Sequence, residues 1–343
     1  MAADHATASR VGALVPLLGL AVLAALPAVL TPYTQDLVLK IAVFAIFALS
    51  LELLVGTTGL VSLGHAAFFG IGAYAAVLFT GGVGSLPAAL AWLAGDGGAA
   101  PLLKLLALSI GFAALYALFV GALSLRTTGV YFIMVTLAFA QMAYFVFHDT
   151  KVGGGSDGIF LYAKPVLEIA GQTLIDLDRK THFYYFTLGA LAFTYGLLAL
   201  VIRSRLGHAL AGIRVNEQRM RAAGFRTTGY KLAAFVIAGA LAGLAGFLVG
   251  VKDGAVNPEL LSWHESGAVL LMIILGGIGS LRGAVLGAVA FTLLKELFQS
   301  EALLGPLAGH WQLTLGLTII AFVALLPKGL IGLKQRLAGG ARG

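Results

Sequence analysis

The sequence predicts an all-α polytopic membrane protein of about ten transmembrane helices, with a short cytoplasmic helix between spans six and seven. Three observations carry this expectation. Charged residues are 11% of the 343-residue chain, against roughly 25% in soluble domains. Hydrophobic residues are 59%, and mean hydropathy is +0.97. The apolar residues gather in runs close to the roughly 20 that a helix needs to cross a bilayer.

Taken in order, the candidate spans are 11–30, 37–56, 61–80, 103–124, 129–148, 183–202, 231–251, 266–281, 283–298 and 311–327. The first lacks a small-residue cleavage site and reads as a retained helix, not a removed signal peptide. The eighth and ninth are short and joined by a tight Gly-rich turn. The piece 85–94 is apolar but too short to span, so it reads as re-entrant or interfacial. The whole of 1–343 forms one transmembrane domain, with a polar loop at 203–231, an outer loop at 148–182 and a C-terminal tail at 328–343.

Charge fixes the orientation. Basic residues resist translocation, so the Arg-rich stretch 203–231 belongs on the cytoplasmic side. Alternation along the spans then sets every other loop. Arg10, Arg126, Arg282, Lys328, Lys334, Arg336 and Arg342 join Arg203, Arg205, Arg214, Arg219, Arg221, Arg226 and Lys231 inside, against only Asp4, Glu52 and Glu217. Both termini are cytoplasmic on this reading. The net charge of +7 therefore reflects membrane orientation and not nucleic-acid binding. The absence of cysteine excludes disulfides, zinc-thiolate sites and thiol catalysis.

Within 203–231, Leu210, Ile213, Met220 and the Ala222-Ala223-Gly224 group look like one face of a helix that docks a soluble partner. The segment SLGHAAFFGIGAY at 62–74 opens the third span. His65 there is a candidate substrate contact or proton relay, with Phe68 and Phe69 as apolar surface of a pathway. The structural alternative leaves His65 satisfied by water or a carbonyl near the inner end. Thr136 and Gln141 are the leading polar groups within the fifth span, though they do not share a face. Gly239, Gly243, Gly246 and Gly250 repeat at helical spacing and form a close-packing stripe, against another helix or a second subunit.

Other motifs are weaker. The run Gly276–Gly283 lacks the lysine and hydroxyl of a phosphate loop, and reads as a tight turn into a packed helix. Thr-Thr-Gly occurs at 57–59, 127–129 and 227–229, which reads as recurrent helix capping or as descent from an internal repeat. The stretch 151–158 is either a contact at the outer mouth or a solvated turn. Glu52, Lys295 and Glu296 lie near span ends and can snorkel. No Walker A, H-E-x-x-H or G-x-S-x-G motif is present, so the chain is no ATPase, zinc protease or serine hydrolase by itself.

SLGHAAFFGIGAY at 62–74, LRTTGVYFIMVTLAFAQM at 125–142, GGSDGI at 154–159, the 213–250 region and LGGIGSLRGAVLGA at 275–288 together resemble permease subunits of the branched-chain amino-acid (LivM-type) ABC importers. The likeness covers about 37–330. It implies a coupling helix in the cytoplasmic loop, with Glu217, Ala222, Ala223 and Gly224 at the matching positions and Arg214 and Arg221 flanking them. It also implies a heteromeric importer of the bacterial inner membrane. A LivH-type sister permease would complete the pathway, two cytoplasmic ATPase subunits carrying ATP and magnesium would dock on 208–226, and a periplasmic substrate-binding protein would deliver the cargo. The implied substrate is a branched-chain or other hydrophobic amino acid, with urea or a short-chain amide as the alternative. An ion-coupled secondary transporter is disfavoured because no mid-membrane carboxylate is visible.

Overall fold

A computed structural model describes residues 31–80, 101–169, 172–300, 305–326 and 328–332, with Pro27 and Leu93. The expected first span at 11–30 (Pro27 apart), the 85–94 piece (Leu93 apart) and the tail from 333 onward lie outside the described residues.

Helix α1 is Pro32–Glu52, opened by proline in its first turn, and it continues through a π-helical turn at Leu53–Thr58 that ends on Gly59 at φ +74°. Then follow α2 His65–Leu78, α3 Leu102–Ser124, α4 Val130–Asp149 and α5 Lys180–Arg203. Two short helices, α6 Arg205–Val215 and α7 Glu217–Ala222, lead into α8 Thr227–Asp253. After these come α9 Trp263–Gly276, α10 Leu281–Gln299 and α11 Trp311–Leu325. Between α4 and α5 run β1 Ile159–Phe160, β2 Val166–Ile169 and β3 Gln172–Asp176, and β4 Ala255–Val256 follows α8. The hairpin β2–β3 is antiparallel, and β1 pairs antiparallel with β4 through Ile159↔Val256.

Contacts sort the connections onto two faces. On the face of the 203–231 loop, Arg214 reaches Gly56 and Glu52 reaches Gly279, while Lys328 lies against Gly277. On the opposite face, the Tyr74 hydroxyl donates to the Gly153 carbonyl at 3.3 Å, Tyr33 donates to Glu296 at 2.5 Å, and Lys180 pairs with Asp36 at 3.8 Å. The stretch 151–158 is therefore not a free solvated turn. It packs on α2 and on β4, where a side chain at Gly158 would strike the Val256 carbonyl.

Of the ten expected crossings, the first lies outside the described residues, and those residues hold six candidates, or seven if the bent pair α9–α10 is one span. Among the described residues six helices are long and apolar enough to span: Pro32–Thr58, Leu102–Ser124, Val130–Asp149, Lys180–Arg203, Thr227–Asp253 and Trp311–Gly332. The expected spans 61–80 and 266–281 are each only a 14-residue helix, α2 and α9. At 1.5 Å per residue such a helix covers about 21 Å, short of a roughly 30 Å hydrocarbon core. The adjoining chain at 59–64 and 254–262 is not α-helical, the latter holding β4 and a 3-10 turn at Pro258–Leu261. The two short helices meet near their starts, where the Ala66 amide donates to the Ser266 hydroxyl at 2.9 Å. Helices α9 and α10 are bent 115° from each other at 277–280.

Backbone approach holds these short helices in place. Gly239 and Gly243 of α8 leave room for Ala117 and Ala113 of α3. One and two turns further on, Gly246 lies on the Phe69 carbonyl and Ala73 amide, and Gly250 on the Ala73 carbonyl of α2. The stripe thus faces two neighbours within the chain. The Thr-Thr-Gly repeats do not cap helices as expected. Thr58 and Thr127 donate their hydroxyls backward to the Leu54 and Ser124 carbonyls, and α2, α4 and α8 have no side-chain cap.

Gly246→Ala is expected to destabilise the protein by about 1–3 kcal/mol through overpacking. Gly189→Ala, whose methyl would meet open space, is expected to be neutral or mildly stabilising because it removes a helical glycine. Thermal unfolding of the two variants in one detergent checks the contrast.

Candidate functional site

The 203–231 loop is built by two helix breaks. Ser204, extended at φ −77° and ψ 171°, ends α5 and caps α6 by accepting from the Gly207 amide. Asn216, also extended, ends α6 and caps α7, its side-chain oxygen accepting from the Arg219 amide at 2.9 Å. The single docking helix expected over 208–226 is therefore two helices. Its expected common face is also split. Leu210 and Ile213 are buried against the body of the protein, whereas Ala222, Ala223 and Gly224 are exposed, with Gly224 at φ +88°.

Glu217 staples this loop to α8. Its carboxylate accepts from Arg221 at 2.7 Å, from the Thr227 hydroxyl at 2.9 Å and from Lys231 at 2.5 Å. Partial burial alone would raise its pKa, but these hydrogen bonds and the Lys231 charge together hold it below the usual carboxylate value. Beside the staple lies an open groove of about 530 Å³, lined by Arg203, Arg205, His208, Met220, Phe225 and Tyr230 among others. Cations and large apolar side chains share this groove, the combination enriched at protein interfaces.

Beneath the loop, three elements are clasped together. Arg214 of α6 donates to the Gly56 carbonyl in the π-helical turn of α1. Glu52, one helical turn before Gly56, accepts from the Gly279 amide in the α9–α10 turn at 2.6 Å. Glu52 is 3% exposed, so it does not snorkel to water as the sequence suggested. Its second oxygen has no hydrogen-bond partner among the described residues. Two sequence signals mark the clasp. A side chain at Gly56 would collide with the Glu52 carboxylate, and Gly277 and Gly279 take φ of +111° and +98°. That backbone presents the amide that Glu52 binds.

Deeper in the bundle, His65 is fully buried at the start of α2, away from the water the sequence reading allowed it. Its ring nitrogen Nε2 lies 2.8 Å from the Ser50 hydroxyl, whose own proton goes to the Phe47 carbonyl at 2.7 Å. That arrangement makes Nε2–H the donor and leaves Nδ1 an acceptor with no partner among the described residues. The imidazole stacks on Phe47 at 5.5 Å and meets Phe68 edge-on at 5.6 Å, while Phe69 stacks on Phe47 at 4.4 Å. Thr136 is buried nearby, its carbonyl against Gly64, and its hydroxyl returns to the Ile133 carbonyl at 2.9 Å. Gln141 makes no part of this cluster.

Long apolar helices, a glycine-packed core and a basic loop of two capped helices mark a multi-pass membrane protein. The chain belongs to the family described as branched-chain amino acid transport system, permease component, whose model matches residues 33–324. It is 29% identical to the high-affinity branched-chain amino acid transport system permease protein LivM of Escherichia coli K12, over 96% of this chain and 77% of the relative. The LivM protein of Salmonella typhimurium is 28% identical over the same shares. A shorter stretch, 27% of this chain, is 31% identical to the xylose transport system permease protein XylH of Escherichia coli K12, covering 25% of that protein. No solved structure matches the chain. The chain is thus a permease component of a transport system.

Because the Glu217 pKa is lowered on folding, its contribution is present above the ordinary carboxylate range and lost as pH falls through the lowered value. Amide hydrogen exchange in 217–231, corrected for intrinsic rates, is expected to be flat around neutrality and to rise only in acid. Glu217→Gln is expected to show the raised exchange at neutral pH.

Proposed function

We propose that this permease subunit works in an ATP-binding-cassette importer of a bacterial inner membrane and carries branched-chain or other hydrophobic amino acids inward. The observation that carries the reading is the family match across 33–324, joined to likeness with LivM proteins along 96% of the chain. The excess of basic residues in 203–231 supports a cytoplasmic loop face with both termini inside. Two cytoplasmic ATPase subunits with ATP and magnesium, a LivH-type sister permease and a periplasmic binding protein complete the machine.

In this reading the exposed Ala222, Ala223 and Gly224 surface and the adjoining basic groove receive an ATPase subunit. Small side chains there allow close approach of the partner. Movement of α6 and α7 passes through Arg214 to the π-helical turn of α1, and through Glu52 to the α9–α10 turn. The ATPase shifts the equilibrium between outward-open and inward-open states only through contacts that differ between them. The buried His65–Ser50 pair, Phe68, Phe69 and Thr136 lie where the two short helices meet, the place at which interrupted helices expose polar backbone to a substrate path.

The test uses the assembled transporter in proteoliposomes. Leucine uptake is expected to require ATP and the ATPase subunits, and uptake that persists without them overturns the proposal. Ala223→Trp is expected to cut ATP-driven uptake at least tenfold, about 1.4 kcal/mol, with the melting temperature unchanged. The native chain has no cysteine, so a single cysteine introduced at Ala223 reports the orientation: labelling from the cytoplasmic side alone is expected.

A further inference from the structure

At the end of α8 opposite the loop, between α1, α2 and the first turn of α9, lies a cavity of about 230 Å³. It is smaller than the roughly 300–1,000 Å³ of drug-sized sites, and suits a solute of amino-acid size. Phe44, Phe69, Val249 and Leu260 give it an apolar wall. Lys40, Lys252, Asp253 and Glu265 also line it, so both signs of charge meet beside that wall.

The four charges are not equally committed. Lys252 is held by its neighbour Asp253 at 2.8 Å. Lys40 is 3.7 Å from Glu296, which already takes the Tyr33 hydroxyl at 2.5 Å. Among the described residues Glu265 has no ion pair, and Lys40, Lys295, His264 and Glu259 are the charged or titratable groups around it. A half-buried carboxylate without a bound cation, facing a loosely held ammonium across an apolar pocket, is matched by a solute with the opposite pair of charges next to a hydrocarbon chain. Urea, amides and sugars carry no such pair, and a fatty acid carries half of it.

Resting on the amino-acid import reading, we infer that this cavity is an acceptor site for a zwitterionic α-amino acid. Glu265 takes the ammonium, Lys40 takes the carboxylate, and the wall of Phe44, Phe69 and Leu260 takes the aliphatic side chain. It is a station on the face that receives substrate, on the far side of the core from the clasp.

The test measures binding of radiolabelled leucine to the full permease–ATPase complex in nanodiscs, with no binding protein present. Competition is read with 4-methylpentanoate, which keeps only the carboxylate, and 3-methylbutylamine, which keeps only the ammonium. Each is expected to bind at least tenfold more weakly than leucine, since a charged hydrogen-bond partner contributes enough for that factor. Competition by either analogue as strong as that of leucine on the wild-type complex overturns the site. Glu265→Gln is expected to weaken leucine about tenfold and leave 4-methylpentanoate unchanged, and Lys40→Gln to spare 3-methylbutylamine in the same way. A variant that fails to fold loses all ligands together, so the split pattern is the supporting result, and the wild-type series decides where a variant is lost. ATP-driven leucine uptake without any charge-dependent binding sinks this site alone, whereas the absence of ATP-driven amino-acid uptake sinks the import reading beneath it.

Discussion

Backbone polar groups inside a bilayer must find partners within the protein, and α2 and α9, at 14 residues each, are too short to cross one alone. Lipid cannot hydrogen-bond an exposed amide or carbonyl, so irregular backbone at membrane depth survives only when enclosed by protein or lining a cavity. In the segments 59–64 and 254–262 the buried positions are Ser62, Gly64, Val256, Pro258, Leu261 and Ser262, which pack into the bundle while Gly59, Asn257 and Glu259 stay exposed. Their enclosure requires α2 to sit against α8 at backbone distance. Gly72 against Gly243, and Gly246 against the Phe69 carbonyl, leave no space for a side chain. The glycine stripe is therefore the condition for having short helices at all, and the short helices bring His65, Ser50 and Ser266 together in the core.

The clasp beneath the loop follows from the same shortage of partners. Glu52 is a carboxylate in a place with little water, and a lone buried charge is costly. It is met by a backbone amide made available by the positive-φ turn at Gly277 and Gly279. Arg214 satisfies a carbonyl that the π-helical turn of α1 has displaced from regular pairing, and π-helical turns often mark functional positions. Each partner thus fills a vacancy created by an irregularity on another element. Displacing any one of the three elements leaves a polar group of another without its partner.

Much of this was legible in the chain. Apolar runs of near 20 residues locate α1, α3, α4, α5, α8 and α11, because span length and composition are set by the bilayer itself. Residues 61–80 and 266–281 misled for the same reason. Their apolar residues run long enough to span, yet Gly59, Gly64 and Pro258 interrupt helices whose hydropathy stays high. Hydropathy responds to burial and is blind to whether buried backbone is helical. The 203–231 loop was visible as a docking candidate from its charge, but its division at Asn216 was not, since one asparagine fits a helix surface as well as a cap. Glu52 was misread because position along a helix says nothing of what another element presents. Only the Glu52–Gly56 spacing of one turn hinted that the side chain lies along its own helix.

The two proposed sites, at opposite faces, share their supports. Helix α1 carries Lys40 toward one face and Glu52 at the other, a separation of 12 residues, or about 18 Å of helix, with Gly56 in the π-helical turn just beyond. Helix α9 carries Glu265 in its first turn and ends at the turn that gives Glu52 its amide donor. The two helices whose far ends would grip the ends of a zwitterion are thus the two joined by the clasp. A helix transmits displacement along its axis far better than it bends. Breaking the Glu52–Gly279 contact would free the clasped ends of α1 and α9 to part, and would change the spacing of Lys40 and Glu265 with no contact between the docking loop and the cavity. In the proposed coupling, the clasp would be the element whose making and breaking both sites bias. Substrate that bridges Lys40 and Glu265 would in turn favour the clasped state, because coupling between two binding events is reciprocal.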